Sequence, residues 1–393
     1  MRILVLAGCE GVPFPDSGWA RPDSHGGVQT MSRGMAEAME TLGHRVEIAC
    51  LARGNSLRFA RHESDFLGPG TTHFTSLRQA YVLFHTLGWD DGFWRYLRAF
   101  DAVTLVCGSP YLAFPLLARS IPVLVWSAVT FDEDLKGRYE RFGTARRLAY
   151  DLALPLLRHQ ERRVYEDCAH FWALSPSTLR DFRAGAGPRP EAATSVLYAP
   201  IDTERLRPPD GPRDRPTVLF TGRYNDPRKA TPRLLRAFRR VVDAYPEARL
   251  RLVGDATSEE IRRQIRQLRL EEAVTAVGKV PRDALTDAYA QAQVFVIPSR
   301  QEGLCISAVE AMSCGLPVVS TRCGGPEAYV EHERTGLLAD QNEASMAAQL
   351  LRILRDDELR ARLGHEARDR AVRDFGLERF RSAIASVLAR TTP

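Results

Sequence analysis

Continuous apolar runs alternate along this chain with segments in which apolar residues recur every three or four positions. Arg2 to Ala7, Val46 to Cys50, Ala102 to Cys107, Pro122 to Trp126 and His170 to Leu174 are runs of the first kind. Their length and lack of polar alternation predict strands buried on both faces, as in a parallel sheet covered by helices. Between the first two runs, Val28, Met31, Met35, Met39 and Leu42 trace one buried face of a helix that Gly43 ends. The Gly/Pro-rich stretch Gly8 to Gly27 is predicted as the loop leading into that helix.

From Arg183 to Pro216 the pattern lapses: Gly, Pro and Arg accumulate, and Ser195 to Tyr198 is the one strand candidate. An interdomain linker is therefore placed at Ile201 to Arg215. The alternation restarts with strand Thr217 to Thr221. A helix follows, with Thr231 as its cap, Pro232 in its first turn, and Leu234, Leu235, Phe238, Val241 and Val242 inside. Strands Leu250 to Val253, Val274 to Val277 and Val294 to Ile297 come next, separated by helices Ser258 to Leu268 and Pro281 to Ala292. A chain of 393 residues is long enough for two cores. Two α/β domains facing a central cleft are expected, with ligands at the carboxyl ends of the strands.

Composition is that of an ordinary soluble protein, 44% apolar and 26% charged. The net charge of +5 permits anionic ligands. No basic run is interleaved with aromatics, which argues against a nucleic-acid partner. Of the 54 basic residues, Lys136, Lys229 and Lys279 alone are lysine. A coding bias accounts for the arginine excess, yet a lysine kept in that background draws attention, because its compact charge is not reproduced by Arg. The seven cysteines form no CxxC pair, which points to a reducing compartment and away from structural zinc. Leu6 to Cys9 looks like a lipoprotein box, but the five residues before it are too few for a leader, and a first strand is the better reading. No apolar run reaches 18 residues, so a cytoplasmic protein is expected. Arginines at 138, 141, 146, 147, 158, 162 and 163 surround Leu152, Leu154, Leu156 and Leu157. This stretch reads either as a solvated arginine face over a core stripe or as a peripheral contact with anionic lipid at the inner face of a membrane.

Three segments carry chemistry. In Pro298-Ser299-Arg300-Gln301-Glu302-Gly303-Leu304-Cys305-Ile306, a strand passes through a loop into a helix of about Ile306 to Cys314. Glu302 precedes that helix and Glu310 lies one turn inside it. The amides of Gly303 to Ile306 converge at a helix N-terminus, which suits a ligand bearing phosphate and hydroxyls. Gly222-Arg223-Tyr224-Asn225-Asp226-Pro227-Arg228-Lys229 is a second strand-to-helix loop, with two cations placed to stabilise charge on a leaving group. His25-Gly26-Gly27 precedes the first helix, and its glycines allow close approach of backbone to a ligand.

Together these segments resemble glycosyltransferase family four, the large retaining family with the two-domain GT-B fold. The resemblance is most specific in Val294 to Gly325. There the family's Glu-(seven residues)-Glu motif matches Glu302 and Glu310, followed by Glu310-Ala311-Met312, Cys314-Gly315-Leu316-Pro317 and Gly324-Gly325. It implies two Rossmann-like domains, residues 1–200 binding the acceptor and 201–376 the nucleotide sugar, with helix 377–393 packing back on the first. It also implies a nucleotide diphosphate sugar, UDP- or GDP-linked, as co-substrate, no further cofactor, and no metal. Glu302 and the amides of Gly303, Leu304, Cys305 and Ile306 would hold sugar hydroxyls, and Glu310 the ribose. Arg223 and Lys229, beside Gly222, would hold the diphosphate, and Val280 would lie near the base. His25, Gly26 and Gly27 would approach the phosphates and acceptor. The acceptor would be a small molecule, a glycan or a lipid-linked group.

The sequence departs from the family in several places, among them Ala199-Pro200-Ile201-Asp202, which resembles the family's Asn-Gly-Val-Asp before the linker. Ala230 stands where a Gly usually follows the Lys, and Cys305 replaces a common Gly. After the Pro122 to Trp126 strand, Ser127-Ala128-Val129-Thr130 lacks the family's His. Asp132 and Glu133 follow there, either in a solvated loop or as acceptor ligands. Two other activities share this architecture, a nucleotide-sugar epimerase and a catalytically silent nucleotide-sugar binder.

Overall fold

The structure, a computed structural model, describes residues 1–13, 27–53, 60–64, 71–75, 91–118, 120–135, 139, 142–211, 213, 215–254 and 256–391. It forms two compact units. Met1–Pro200 joins with Phe380–Pro393 in the first, and Ile201–Arg379 makes the second.

The first unit is built on an eight-stranded sheet. Its strands are β1 (Arg2–Pro13), β2 (Arg45–Arg53), β3 (Ala60–Ser64), β4 (Thr71–Thr75), β5 (Ala102–Cys107), β6 (Val123–Ser127), β7 (His170–Ala173) and β8 (Thr194–Val196). Their order across the sheet is 3-4-2-1-5-6-7-8, and all pairs are parallel except β3 with β4. Every residue of β5, β6 and β7 is buried, as continuous apolar strands require. Helices α1 (Gly27–Thr41), α2 (Asp91–Leu97), α3 (Phe131–Leu135), α4 (Thr144–Asp167) and α5 (Pro176–Ala186) connect them. Trp126 is fully buried and donates its indole N–H to the Leu197 carbonyl at 2.8 Å.

The second unit carries six parallel strands: β9 (Thr217–Gly222), β10 (Arg249–Gly254), β11 (Val274–Gly278), β12 (Val294–Ile297), β13 (Val318–Thr321) and β14 (Gly336–Ala339). Counted from β9, the order is 3-2-1-4-5-6, the dinucleotide-binding arrangement. Helices α6 (Thr231–Ala244), α7 (Glu259–Gln267), α8 (Arg282–Gln291), α9 (Ile306–Ser313), α10 (Glu343–Arg355) and α11 (Asp357–Phe375) cover it. On α6, Leu234, Leu235, Phe238 and Val241 are fully buried, and each such side chain stabilises the fold by about 1.5–3 kcal/mol. The first three residues of helix α12 (Leu377–Thr391) belong to the second unit, and from Phe380 onward the helix belongs to the first. The Phe380 ring packs 5.4 Å from that of Trp126.

Several elements differ from expectation. Strand β1 runs to Pro13 rather than ending at Ala7, because Val12 and Pro13 pair with Ala52 and Arg53 after a register shift. Residues 14–26 of the expected loop, His25 and Gly26 among them, lie outside the described residues. Thr231 is the first residue of α6, not its cap: the cap position is Ala230, and the Thr231 hydroxyl donates to the Tyr224 carbonyl at 2.6 Å. The stretch after Arg183 completes α5, and its strand is Thr194–Val196. Phe131 to Leu135 is a short helix rather than a loop.

Candidate active site

In an open parallel sheet, ligands bind outside the carboxyl ends of the strands where the order reverses. In the second unit that point lies between β9 and β12. The loops leaving these two strands are those that the sequence singled out, Gly222 to Lys229 and Pro298 to Cys305.

The first loop is fixed by a close approach of backbones. Gly222 and Gly254 are register partners, and a Cβ at Gly254 would lie 1.8 Å from the Gly222 carbonyl oxygen. Asp226 caps the turn Pro227–Lys229, accepting from the Arg228 amide at 3.0 Å. Burial alone would raise its carboxyl, but hydrogen bonds and charge from Arg228, with Arg223 adding, hold it below the usual range. Arg223 is two-thirds exposed and reaches Asp226 at 3.5 Å.

Lys229 and Glu302 meet across the two loops, Nζ to Oε1, at 2.7 Å. Both side chains are largely buried. Burial opposes the ammonium, yet the Glu302 carboxylate outweighs it, and Lys229 titrates above its ordinary range. Ser299 is fully buried and donates to the same Oε1 at 2.5 Å. One carboxylate oxygen of Glu302 is thus held by two donors. An ammonium has three N–H groups, so Lys229 retains donors for a further anion. The Arg300 amide also donates to the Arg228 carbonyl at 2.7 Å, tying the loops together.

The path from Glu302 to α9 is pinned from below. The Glu302 amide donates to Cys323 at 2.8 Å, and the Gly325 amide to the Glu302 carbonyl at 2.9 Å. The Tyr329 hydroxyl donates to the Leu304 carbonyl at 2.6 Å. Cys305 occupies the cap position of α9 with φ 67°, and its side chain does not cap the helix. The N-terminal end of α9 is therefore not closed by its own side chain. Ala230 likewise has φ 48°. The two non-glycine departures from the family pattern thus both sit in the left-handed region, at a cost of roughly 1–2 kcal/mol each. The backbone shape persists without the glycine.

One turn into α9, Glu310 accepts from the Tyr289 hydroxyl at 2.7 Å, and that oxygen lies 3.3 Å from Thr221 Oγ1. Tyr289 is fully buried, and burial followed by the Glu310 charge keeps its phenol protonated. Val280 is half-buried two residues beyond β11, at the same edge of the sheet.

In the first unit the order reverses between β1 and β5. Gly27 opens α1. Asp132 is held by Arg158, whose Nε lies 3.0 Å from both carboxylate oxygens. Beside it lies Glu161, buried, accepting from Ser109 at 2.9 Å and from the Phe131 amide at 2.8 Å. Burial pushes its carboxyl up to about 7. Sequence reasoning missed Ser299, Tyr289 and Glu161. Ser299 adjoined a motif that was read for its acids, and Glu161 lay hidden in the charged run His159-Gln160-Glu161-Arg162-Arg163.

Comparison with known proteins decides the family. A model described as glycosyltransferase family 4 matches residues 25–205, and one described as glycosyl transferases group 1 matches residues 215–356. The chain belongs to glycosyltransferase family four. It is 32% identical over 216 residues to a D-inositol 3-phosphate glycosyltransferase of Streptomyces bingchenggensis, covering 50% of this chain and 47% of that one. The chain thus spans about half the length of the curated relatives it matches. Among solved structures, sucrose-phosphate synthase from Thermosynechococcus elongatus superposes with a TM-score of 0.75 at 20% identity, over 99% of this chain and 98% of that one. Anabaena HepE in complex with UDP and glucose gives 0.73 at 19% identity, over 99% of each. This family member has the GT-B fold of two Rossmann-like domains.

Proposed function

We propose that the protein is a retaining glycosyltransferase that moves a sugar from a UDP- or GDP-linked donor to a hydroxyl of an acceptor. The observation that carries this reading is the meeting of Lys229 and Glu302 at the β9/β12 switch point, beside the uncapped start of α9. A neighbour in fold was solved with UDP and glucose, which supports a nucleotide sugar in the second unit.

On this reading the C1–O bond to the diphosphate breaks, and Lys229 and Arg223 stabilise the charge that gathers on the leaving phosphate. Glu302 takes a sugar hydroxyl through the oxygen not held by Ser299 and Lys229, with the amides of Gly303 to Ile306 taking others. Glu310, oriented by Tyr289, takes the ribose. The acceptor proton passes to the leaving phosphate on the same face, so the anomeric configuration is retained and no metal takes part. Positioning and electrostatics then supply the rate rather than a pair of flanking carboxylates.

Incubation with a panel of UDP- and GDP-sugars and no acceptor tests the proposal. Slow release of nucleoside diphosphate and free sugar of unchanged configuration supports it. Conversion of the sugar to its epimer would instead assign an epimerase, and binding without turnover a silent binder.

A further inference from the structure

Helix α4 presents apolar side chains on both of its faces. Toward the core it buries Ala153, Leu157 and Val164. Away from it, Leu148, Leu152 and Leu156 are 61%, 74% and 39% exposed. These three recur every four residues, so they lie on one face. Ala149 and Pro155, both exposed, widen the stripe, which runs about 12 Å along the helix. Single exposed leucines are ordinary; a contiguous row is not.

We infer that this stripe of α4 docks the protein on an anionic lipid surface. The turns after the stripe place Arg158, Arg162 and Arg163 outward, with about half of each side chain exposed. Arg162 and Arg163 pair with Glu166 and Asp167 at 2.7 and 2.5 Å, one turn on. Such exposed i, i+4 pairs are weak and screened in water, so a lipid phosphate can take over the guanidinium. An apolar row that enters the headgroup boundary, followed by arginines at its rim, is the arrangement by which an interfacial helix binds anionic bilayers.

A second copy of the chain fits the stripe less well. Three leucines offer a patch on the order of a few hundred Å², below the ~800 Å² per partner of a stable interface. Asp151 and the arginines bound it, leaving little apolar surface into which such an interface could extend. The inference does not depend on the acceptor being a lipid.

Co-sedimentation of the full chain with phosphatidylcholine vesicles, with and without phosphatidylglycerol, tests it. Pelleting that is stronger with phosphatidylglycerol and falls as salt rises is expected. The double variant Leu148→Gln/Leu152→Gln should lose at least about tenfold in apparent affinity, because binding scales with inserted apolar area. Its side chains are exposed, so circular dichroism and melting should match wild type. No pelleting, equal binding to both vesicle types, or an unaffected double variant would each overturn the inference. So would a wild-type dimer that the double variant converts to monomer, since the stripe would then belong to a second copy.

Discussion

Gly325 sits against the backbone of the loop that follows Glu302. A Cβ there would lie 2.1 Å from the Gly303 carbonyl oxygen and 2.8 Å from the Leu304 amide nitrogen. Contacts under 3.0 Å are essentially never made by a Cβ, so Gly325→Ala demands a retreat of about 1 Å by one backbone or the other. The Gly325 amide is tied to the Glu302 carbonyl and Tyr329 holds Leu304, so the displacement falls on Glu302 and the amides that follow it. A misplacement of about 1 Å in a positioned group costs ~10²-fold in rate, and kcat/KM for the donor should fall by that order. Gly336→Ala is the control. Its Cβ would lie 2.2 Å from the Val318 carbonyl oxygen, a comparable clash, but at the amino ends of β13 and β14, away from the loops. Both variants should lose stability by roughly 1–3 kcal/mol, as overpacking does, and melting curves measure this. Assayed well below its melting temperature, Gly336→Ala should keep near-wild-type turnover. Wild-type donor kinetics in Gly325→Ala, or equal losses in both variants, would refute the reasoning.

Other substitutions separate the parts of the site. Lys229→Ala and Arg223→Ala should each lower kcat by ~10²–10³, the order expected on losing one preorganised electrostatic donor. Less than a threefold change in both, measured by nucleoside diphosphate release, would remove them from the leaving group. Tyr289→Phe strips the hydroxyl from Glu310, and should raise the donor KM by about five- to tenfold with kcat little changed, the worth of one hydrogen bond to a charged group. Glu161 titrates near 7 in the fold against 4.5 in an unfolded chain. The native state therefore holds its proton more tightly, and the stability this gives is complete below pH 4.5 and lost as pH rises through 7. Glu161→Gln should flatten that slope and gain up to about 3 kcal/mol at pH 8, read from denaturant unfolding at several pH values.

The second unit was legible as far as α9, because its strands there are continuous apolar runs and its helices have one-sided spacing; β13, β14, α10 and α11 were not anticipated. Each expected strand there lies within a residue or two of its observed bounds. The first unit was less so. The strand Ala60–Ser64, Ala-Arg-His-Glu-Ser, has no apolar run to mark it in the sequence, and it is found by its antiparallel pairing with β4. The α3 segment looked like a solvated acidic loop because its organiser, Glu161, is 30 residues away in sequence and binds its first amide. At the candidate site, acids and bases carried the signal. Their supports did not, because Ser299, Tyr289 and Tyr329 are common residue types whose roles come from where tertiary structure aims a hydroxyl. Leu148 and Leu152 could not be told from core leucines until the packing of α4 assigned its faces.

The central claim is that a nucleotide diphosphate sugar lies outside the ends of β9 and β12. A crystal of the full chain soaked with the donor that the panel selects tests this most directly. The diphosphate should contact Lys229 Nζ and the Arg223 guanidinium, the sugar hydroxyls should reach Glu302 and the amides at the start of α9, and the ribose should bond Glu310. Density for the nucleotide sugar away from these loops, with the Lys229 ammonium still bonded to Glu302 and not to a phosphate, would contradict it.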